Sequence, residues 1–423
     1  MDTNHIISEY IKTSRLLTDA YHYVEERYTV PYDKLSKEKD VPFDYPELVL
    51  CYSLKKTCEH ITINEGDSFL IFDVAIGRFM NNMNALVLGE NVSKSNIEMF
   101  IKKCYAEAFF SKGNLFGACI YKLYVDQIKK RGEEAEIKKD LMNPKRVLMV
   151  LLQELFILFH EVSHFRLANI SREEYRKIID NKQQSLKSND VIINLVNKGL
   201  IDKYAQIELE DIQKDDYRHL RVNAGSDITN SAFWEGYYTY LQNYYDDIKN
   251  VEEIICDEFA MFSLLEQVKP LLLMLQSSGL SCYANIMELF YSSCYMALQN
   301  LNYLVKIDNS VSRFYVGVND AEATDDPYHF YTLPDVQKRK SCLVTAIIKH
   351  EEENNPEKTD LIGPFWSTLA VRLNKKYNDF EEVFQGHYTC CDRNKLFQDI
   401  NLNKDDDVVA ELMASSLETI LHW

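Results

Sequence analysis

Glycine and proline are scarce in this chain, 13 and 9 of 423 residues. Long stretches run without either of the two residues that most often break regular structure, which predicts long and mostly helical elements. Dense cysteine spacing is also missing. The ten cysteines include no CxxC pair, which excludes a small disulfide-stapled scaffold and predicts reduced thiols. There is no basic excess: 47 Lys and Arg stand against 65 Asp and Glu, for a formal net charge of −18. Such a surface repels phosphate backbones, so no nucleic-acid partner is expected. The chain opens on Met1, Asp2 and Thr3 without a basic segment and an apolar core behind it, so a secretory signal is not indicated and the cytoplasm is the expected location. The most apolar stretch, Val147 to Phe159, is interrupted by Gln153 and Glu154. It is expected to be a buried helix, too short and too polar to span a bilayer, and no membrane partner is expected. Nothing in the residues speaks to oligomeric state.

What is present is 46% apolar residues and 26% charged residues, the balance of a globular protein. Apolar spacing predicts an amphipathic helix over 4–28 closing before Pro31, a helix from Tyr45, and helices near 94–110 and 117–131. Two β-like runs, His60 to Ile63 and Ser68 to Val74, are joined by Asn64-Glu65-Gly66-Asp67 as a hairpin, with a third strand expected at Met80 to Leu88. Further helices are expected over 143–167, from Lys249 to Leu265, from Ala284 to Val305 and from Asp406 to Leu421, while Ser171 to Lys187 begins a more polar, highly charged region that continues to Asn250. Irregular or sheet-forming sequence is expected around Phe314 to Pro334. The fold class read from this is α+β, predominantly helical, with a small sheet before the 143–167 helix. The organisation expected is an N-terminal region (1–135), a helical catalytic core (136–308) carrying an insertion (170–248), and a mostly helical C-terminal region (309–423). The best-marked joints are the charged stretch near 130–140 and an Ile307 to Ser312 connection.

The chemistry concentrates at His160-Glu161-Val162-Ser163-His164, an HExxH string. Residues i and i+4 share a helix face, so both imidazoles point at one site, while Glu161 is turned about 100° from His160. Leu151, Leu152, Leu155, Phe156, Leu158, Phe159, Val162 and Phe165 surround the string. Burying three ionisable groups among them is costly unless each has a partner, and one divalent ion partners all three. A hydrolytic zinc site needs a third protein ligand and leaves its fourth position to water. A His six residues after the second is ruled out because position 170 is Ile. Glu253 is the better candidate: Glu253 and Asp257 fall at i and i+4 on one helical face, with Cys256 and Ala260 small enough for close approach. Glu252, Glu258, Glu235 and His219 are fallback ligands. His387 beside Cys390 and Cys391 is a weak second cluster.

These two segments, 160–164 and 253–257, resemble the gluzincin metallopeptidases, in which a Glu of an ExxxD-type motif on a second helix completes HExxH. The resemblance implies a zincin-like core and a Zn²⁺ cofactor held by His160, His164 and Glu253. It also implies Glu161 as general base, and Asp257 accepting the outer N–H of a ligating His. The sequence departs in the 88 residues separating His164 from Glu253. Tyr328, His329, Tyr331, Tyr237 and His219 are candidate oxyanion partners. The expected function is an intracellular zinc metallopeptidase acting on a protein or peptide. The competing expectations are a helical scaffold with a structural or relic metal site, and a zinc hydrolase of a non-peptide amide.

Overall fold

A computed structural model describes residues 22–37, 43–51, 55–64, 67–89, 92–112, 144–190, 231–276, 280–316, 327–354 and 359–388, with a few more within 117–129 and 193–197. The chain enters through α1 (His22–Ser36), then β1 (Glu47–Cys51), β2 (Cys58–Asn64) and β3 (Asp67–Asp73). Ten helices are described in all. The others are α2 (Ala75–Leu88), α3 (Lys94–Ser111), α4 (Pro144–Asn169), α5 (Arg172–Asn189), α6 (Ser231–Asp246), α7 (Ile248–Gln276), α8 (Leu280–Val316), α9 (Pro327–Asn354) and α10 (Thr359–Tyr388). The described part is thus mostly helical with one small sheet.

Sequence and structure part company at several elements. The segment after Tyr45 is strand β1, not a helix, and Met80 to Leu88 lies in helix α2, not a third strand. In α2 the apolar residues Ile76, Phe79, Met80 and Met83 recur at helical spacing and are all buried, a period that a window starting at Met80 conceals. Helix α1 runs through Pro31 instead of stopping before it, and residues 307–312 lie inside α8, not in a connection. Around Phe314 to Pro334 the chain is helical up to Val316 and again from Pro327. The expected helix over 406–421 and the Cys390/Cys391 cluster lie outside the described residues, as does most of 4–28.

The sheet order is β1-β3-β2, with β1 parallel and β2 antiparallel to β3. Central β3 is buried on both faces, as its unbroken Phe69-Leu70-Ile71-Phe72 run requires. Leu70 and Phe72 join the main core beneath the helices, while Phe69 and Ile71 pack with Val49 and Cys51 on the opposite face. β2 is an edge strand lying against α4. Residue Lys56, just before β2, has a left-handed backbone with φ 56°. Its N–H donates to Asp73 Oδ2 at 2.7 Å, and its ammonium lies 2.7 Å from the buried Glu107 carboxylate. These contacts anchor the entry to the edge strand.

Helix α4 is apolar all round, and it is accordingly the buried centre of the molecule, packed by α2, α7, α8 and the sheet. Phe156, Leu158, Phe159 and Val162 are fully enclosed. Residues Lys145–Asn169 are long and apolar enough to cross a membrane, with mean hydropathy 1.4, and 67% of the apolar stretch is buried among the other elements. The stretch is longer than the apolar residues alone suggested. The six described cysteines are all free.

One buried polar contact sets the approach of α2 to α4. Tyr28 donates to Glu154 Oε1 at 2.8 Å, and a Cβ on Gly77 would stand 1.9 Å from that same oxygen. Burial raises the Glu154 carboxyl to about 7, against smaller opposing contributions from Tyr28 and Arg27. Gly77→Ala is expected to push Glu154 off Tyr28 and to cost about 1–3 kcal/mol, the usual range for overpacking. Denaturant unfolding of the variant beside wild type reads this directly.

Candidate metal centre

Helices α4 and α7 meet along a seam of small residues. Cys256 and Ala260 on α7 are fully buried, and Ser163 on α4 is nearly so and hydrogen-bonded to Cys256. At the end of the seam Arg166 sits over the Phe259 ring, 4.4 Å from its centroid. Small side chains let the two backbones approach, and the longer side chains at 160, 164 and 253 therefore converge from facing surfaces.

His160 and His164 present their Nε2 atoms 3.2 Å apart, with the rings nearly perpendicular at 78°. Glu253 reaches both: Oε2 lies 3.4 Å from His160 Nε2, and Oε1 lies 3.3 Å from His164 Nε2. These three residues each offer a ligand atom within 4.8 Å of the others, and they can hold a metal ion. Ligands ~2.0–2.1 Å from a common tetrahedral centre stand about 3.3–3.4 Å from one another, a spacing close to that of the two imidazoles and of each Glu253 oxygen to its nearer imidazole. The structure thus brings His160, His164 and Glu253 together across the 88 residues that separate the two segments.

Of the fallback ligands, the two whose side chains are described are held elsewhere. Glu252 accepts from the Tyr175 hydroxyl at 2.6 Å, and Glu258 pairs with Lys182 at 2.5 Å. Both partners belong to α5, so the first helix after HExxH clamps the outer face of α7 and turns Glu253 inward. Ser171 caps α5 by accepting from the Glu174 N–H at 3.2 Å, as its Ser-x-x-Glu start favours. His219 and the side chains of Glu235, Tyr328, His329 and Tyr331 lie outside the described residues.

No family model, no curated protein and no solved structure matches this chain. Its chemistry therefore rests on the geometry of these side chains.

Asp257 is buried, and its Oδ1 lies 3.0 Å from His160 Nδ1. At this distance the carboxylate and the ring nitrogen form a close electrostatic pair. Burial alone would depress the His160 pKa, but the carboxylates of Asp257 and Glu253 outweigh it and raise it to about 9 in the metal-free protein. Burial would raise Glu253, yet His160, His164 and Arg339 hold it well below the usual carboxylate range. Asp257 is likewise held low, mainly by Arg339.

Glu161 does not join the triangle. Burial raises its pKa, the two imidazoles oppose that shift, and Glu253 and Glu59 add to it. Helix α4 packs against edge strand β2, whose Glu59 is one of the charges acting on Glu161. At the same end Phe165 packs on the rings of Phe43, Tyr45 and His60, with the His60 centroid 4.9 Å away.

Arg339 is the site residue that sequence reading passed over. From α9 its Nε and Nη2 donate to the two oxygens of Asp257 at 2.8 and 2.7 Å, and its Nη1 lies 2.7 Å from Glu253 Oε2. The run Lys338-Arg339-Lys340 reads in sequence as a solvated basic stretch. In the fold the three diverge around the helix. Lys338 pairs with Asp190 at 2.7 Å, and the enclosed Lys340 donates to Gln299 and Asn374 at 2.6 and 3.0 Å. Three adjacent cations with large apolar neighbours, Val336 and Leu343, were the available signal.

Proposed function

We propose that the chain is a zinc-dependent metallopeptidase of gluzincin type, with a zincin-like core formed by α4, α7 and the sheet that precedes α4. The observation that carries this reading is the cluster of His160, His164 and Glu253, in which the Nε2 atoms stand 3.2 Å apart and each Glu253 oxygen lies 3.3–3.4 Å from one of them, with Glu161 held beside it but outside it. Two imidazoles and one carboxylate select zinc over hard-oxygen cations such as Mg²⁺. A zinc ion there supplies Lewis acidity, polarising a carbonyl and lowering the pKa of a water toward ~7.

The chain's own residues supply the rest. Glu161, its pKa raised by burial, is a carboxylate poised nearer neutrality than an exposed one, as a general base requires. It takes the proton of the attacking water and returns it to the departing amine. Asp257 sets the orientation of the His160 ring from behind. Edge strand β2 pairs with β3 on one side only among the described residues, and it packs against α4, the helix that carries Glu161. An extended peptide that adds to this edge brings its amide bonds past the base, which supports a protein or peptide substrate over a small amide.

The pH dependence follows from His160. Its imidazole must be neutral to ligate, and in the metal-free protein it keeps its proton up to about pH 9. Each zinc bound below that pH expels this proton, so apparent zinc affinity is expected to rise about tenfold per pH unit toward pH 9 and then to level off. Competition titrations against a chelator of known affinity check the slope. In the metal-free protein the same proton stabilises the fold. That contribution is full below the unfolded value near 6.5 and is lost as pH rises through about 9.

One observation favours a second reading, a helical scaffold with no catalytic ion. A protonated His160 and the Arg339 guanidinium can neutralise Glu253 and Asp257 without any metal. Incubating zinc-reconstituted protein with a proteome-derived peptide library, with and without chelator, separates the two. Chelator-sensitive cleavage is the result expected of the peptidase. Zinc binding without cleavage of any peptide would favour the scaffold.

A further inference from the structure

We propose that Arg339 is a positioning residue that makes Glu253 a one-oxygen ligand and so keeps a coordination position open for water. This rests on the metal-centre reading above and deepens it. The guanidinium engages Glu253 at Oε2, 2.7 Å from Nη1, an oxygen that also lies 3.4 Å from His160 Nε2, while Oε1 faces His164 Nε2 at 3.3 Å. A cation bound by both carboxylate oxygens would crowd the positive Nη1 group, whereas one bound by Oε1 alone would not. With Glu253 contributing one atom, two imidazoles and one oxygen make three protein ligands, the number that leaves a tetrahedral zinc site one place for water.

Three further observations support this role. The fork of Arg339 holds Asp257 at the same time, with Nε and Nη2 at 2.8 and 2.7 Å, so a single planar group fixes both Glu253 and the carboxylate behind His160. Only a guanidinium spans two carboxylates in this way; an ammonium is a single point charge. The rotation of α9 that aims Arg339 is itself fixed, because Lys338 on one side is tied to Asp190 and Lys340 on the other to Gln299 and Asn374. Charge also balances: Glu161, Glu253 and Asp257 carry three negative charges, and a divalent ion together with Arg339 carries three positive ones.

The test replaces zinc by cobalt, whose visible absorption is strong in four-coordinate sites and weak in five-coordinate ones. It compares the full-length wild type with Arg339→Met and Arg339→Lys. Wild type is expected to give the strong four-coordinate spectrum. Both variants are expected to shift to the weak spectrum as Glu253 chelates through both oxygens, with metal affinity lowered about 10–100-fold, the range for groups that orient ligands. A five-coordinate wild-type spectrum would overturn the proposal whatever the variants do. So would variants with wild-type spectrum and affinity. Arg339→Lys keeps the positive charge, so the comparison survives if Arg339→Met does not fold. A wild-type protein that takes up neither cobalt nor zinc would instead remove the metal-centre reading itself, which distinguishes the two failures.

Discussion

Glu161→Gln is expected to retain zinc at the wild-type level and to lose turnover by about 10²–10⁴-fold, the range that a positioned general base contributes. Glutamine matches the size of glutamate but cannot accept the water's proton. Glu161 is not one of the three clustered residues, so the substitution removes no candidate ligand. Stability should not fall either. The native carboxylate is held in a buried setting next to Glu253 and Glu59, which raises its pKa, and a neutral amide relieves that. The variant therefore separates catalysis from metal binding and from folding. Zinc content, thermal unfolding and peptide cleavage are measured on the same preparations. Equal cleavage by both proteins contradicts the role given to Glu161.

Glu253→Ala is expected to abolish tight zinc binding, and Asp257→Ala to weaken it by only about 10–100-fold. Removing Glu253 takes one corner from the donor triangle and leaves two imidazoles, too few for a stable site. Removing Asp257 leaves all three donors but frees the His160 ring. The second variant carries a separate stability cost. The Asp257 side chain is 2% exposed and Arg339 14%, and breaking a buried pair of this kind costs about 3–5 kcal/mol. Glu252→Ala and Glu258→Ala, whose carboxylates are taken by Tyr175 and Lys182, should bind zinc as wild type does. A zinc-free Glu252→Ala beside a zinc-loaded Glu253→Ala would reverse the assignment of faces on α7.

The parts of the site legible in sequence are those set by helical period. His160 and His164 four residues apart, and Glu253 and Asp257 four residues apart, each share a face whatever the tertiary fold does. That two such faces meet depends on the packing of α4 against α7, for which Cys256 and Ala260 were only a permissive sign. Arg339 escaped because its partners lie 82 residues or more away, and a basic run on a helix is ordinarily solvated. The strand β1 escaped for a related reason: Glu-Leu-Val-Leu-Cys is short enough to be helix or strand. Its parallel pairing with β3, Val49 opposite Ile71, is a long-range choice that leaves no local mark. The hairpin of β2 and β3 was readable because its pairing is local and its turn carries Asn64 and Gly66.

We propose that His160, His164 and Glu253 hold one zinc ion. Elemental analysis of purified protein, before and after stripping and zinc reconstitution, tests it most directly. The expected result is about one zinc per chain in wild type, with loss of the metal in His160→Ala and in His164→Ala. Folded wild-type protein that takes up no zinc on reconstitution would contradict it.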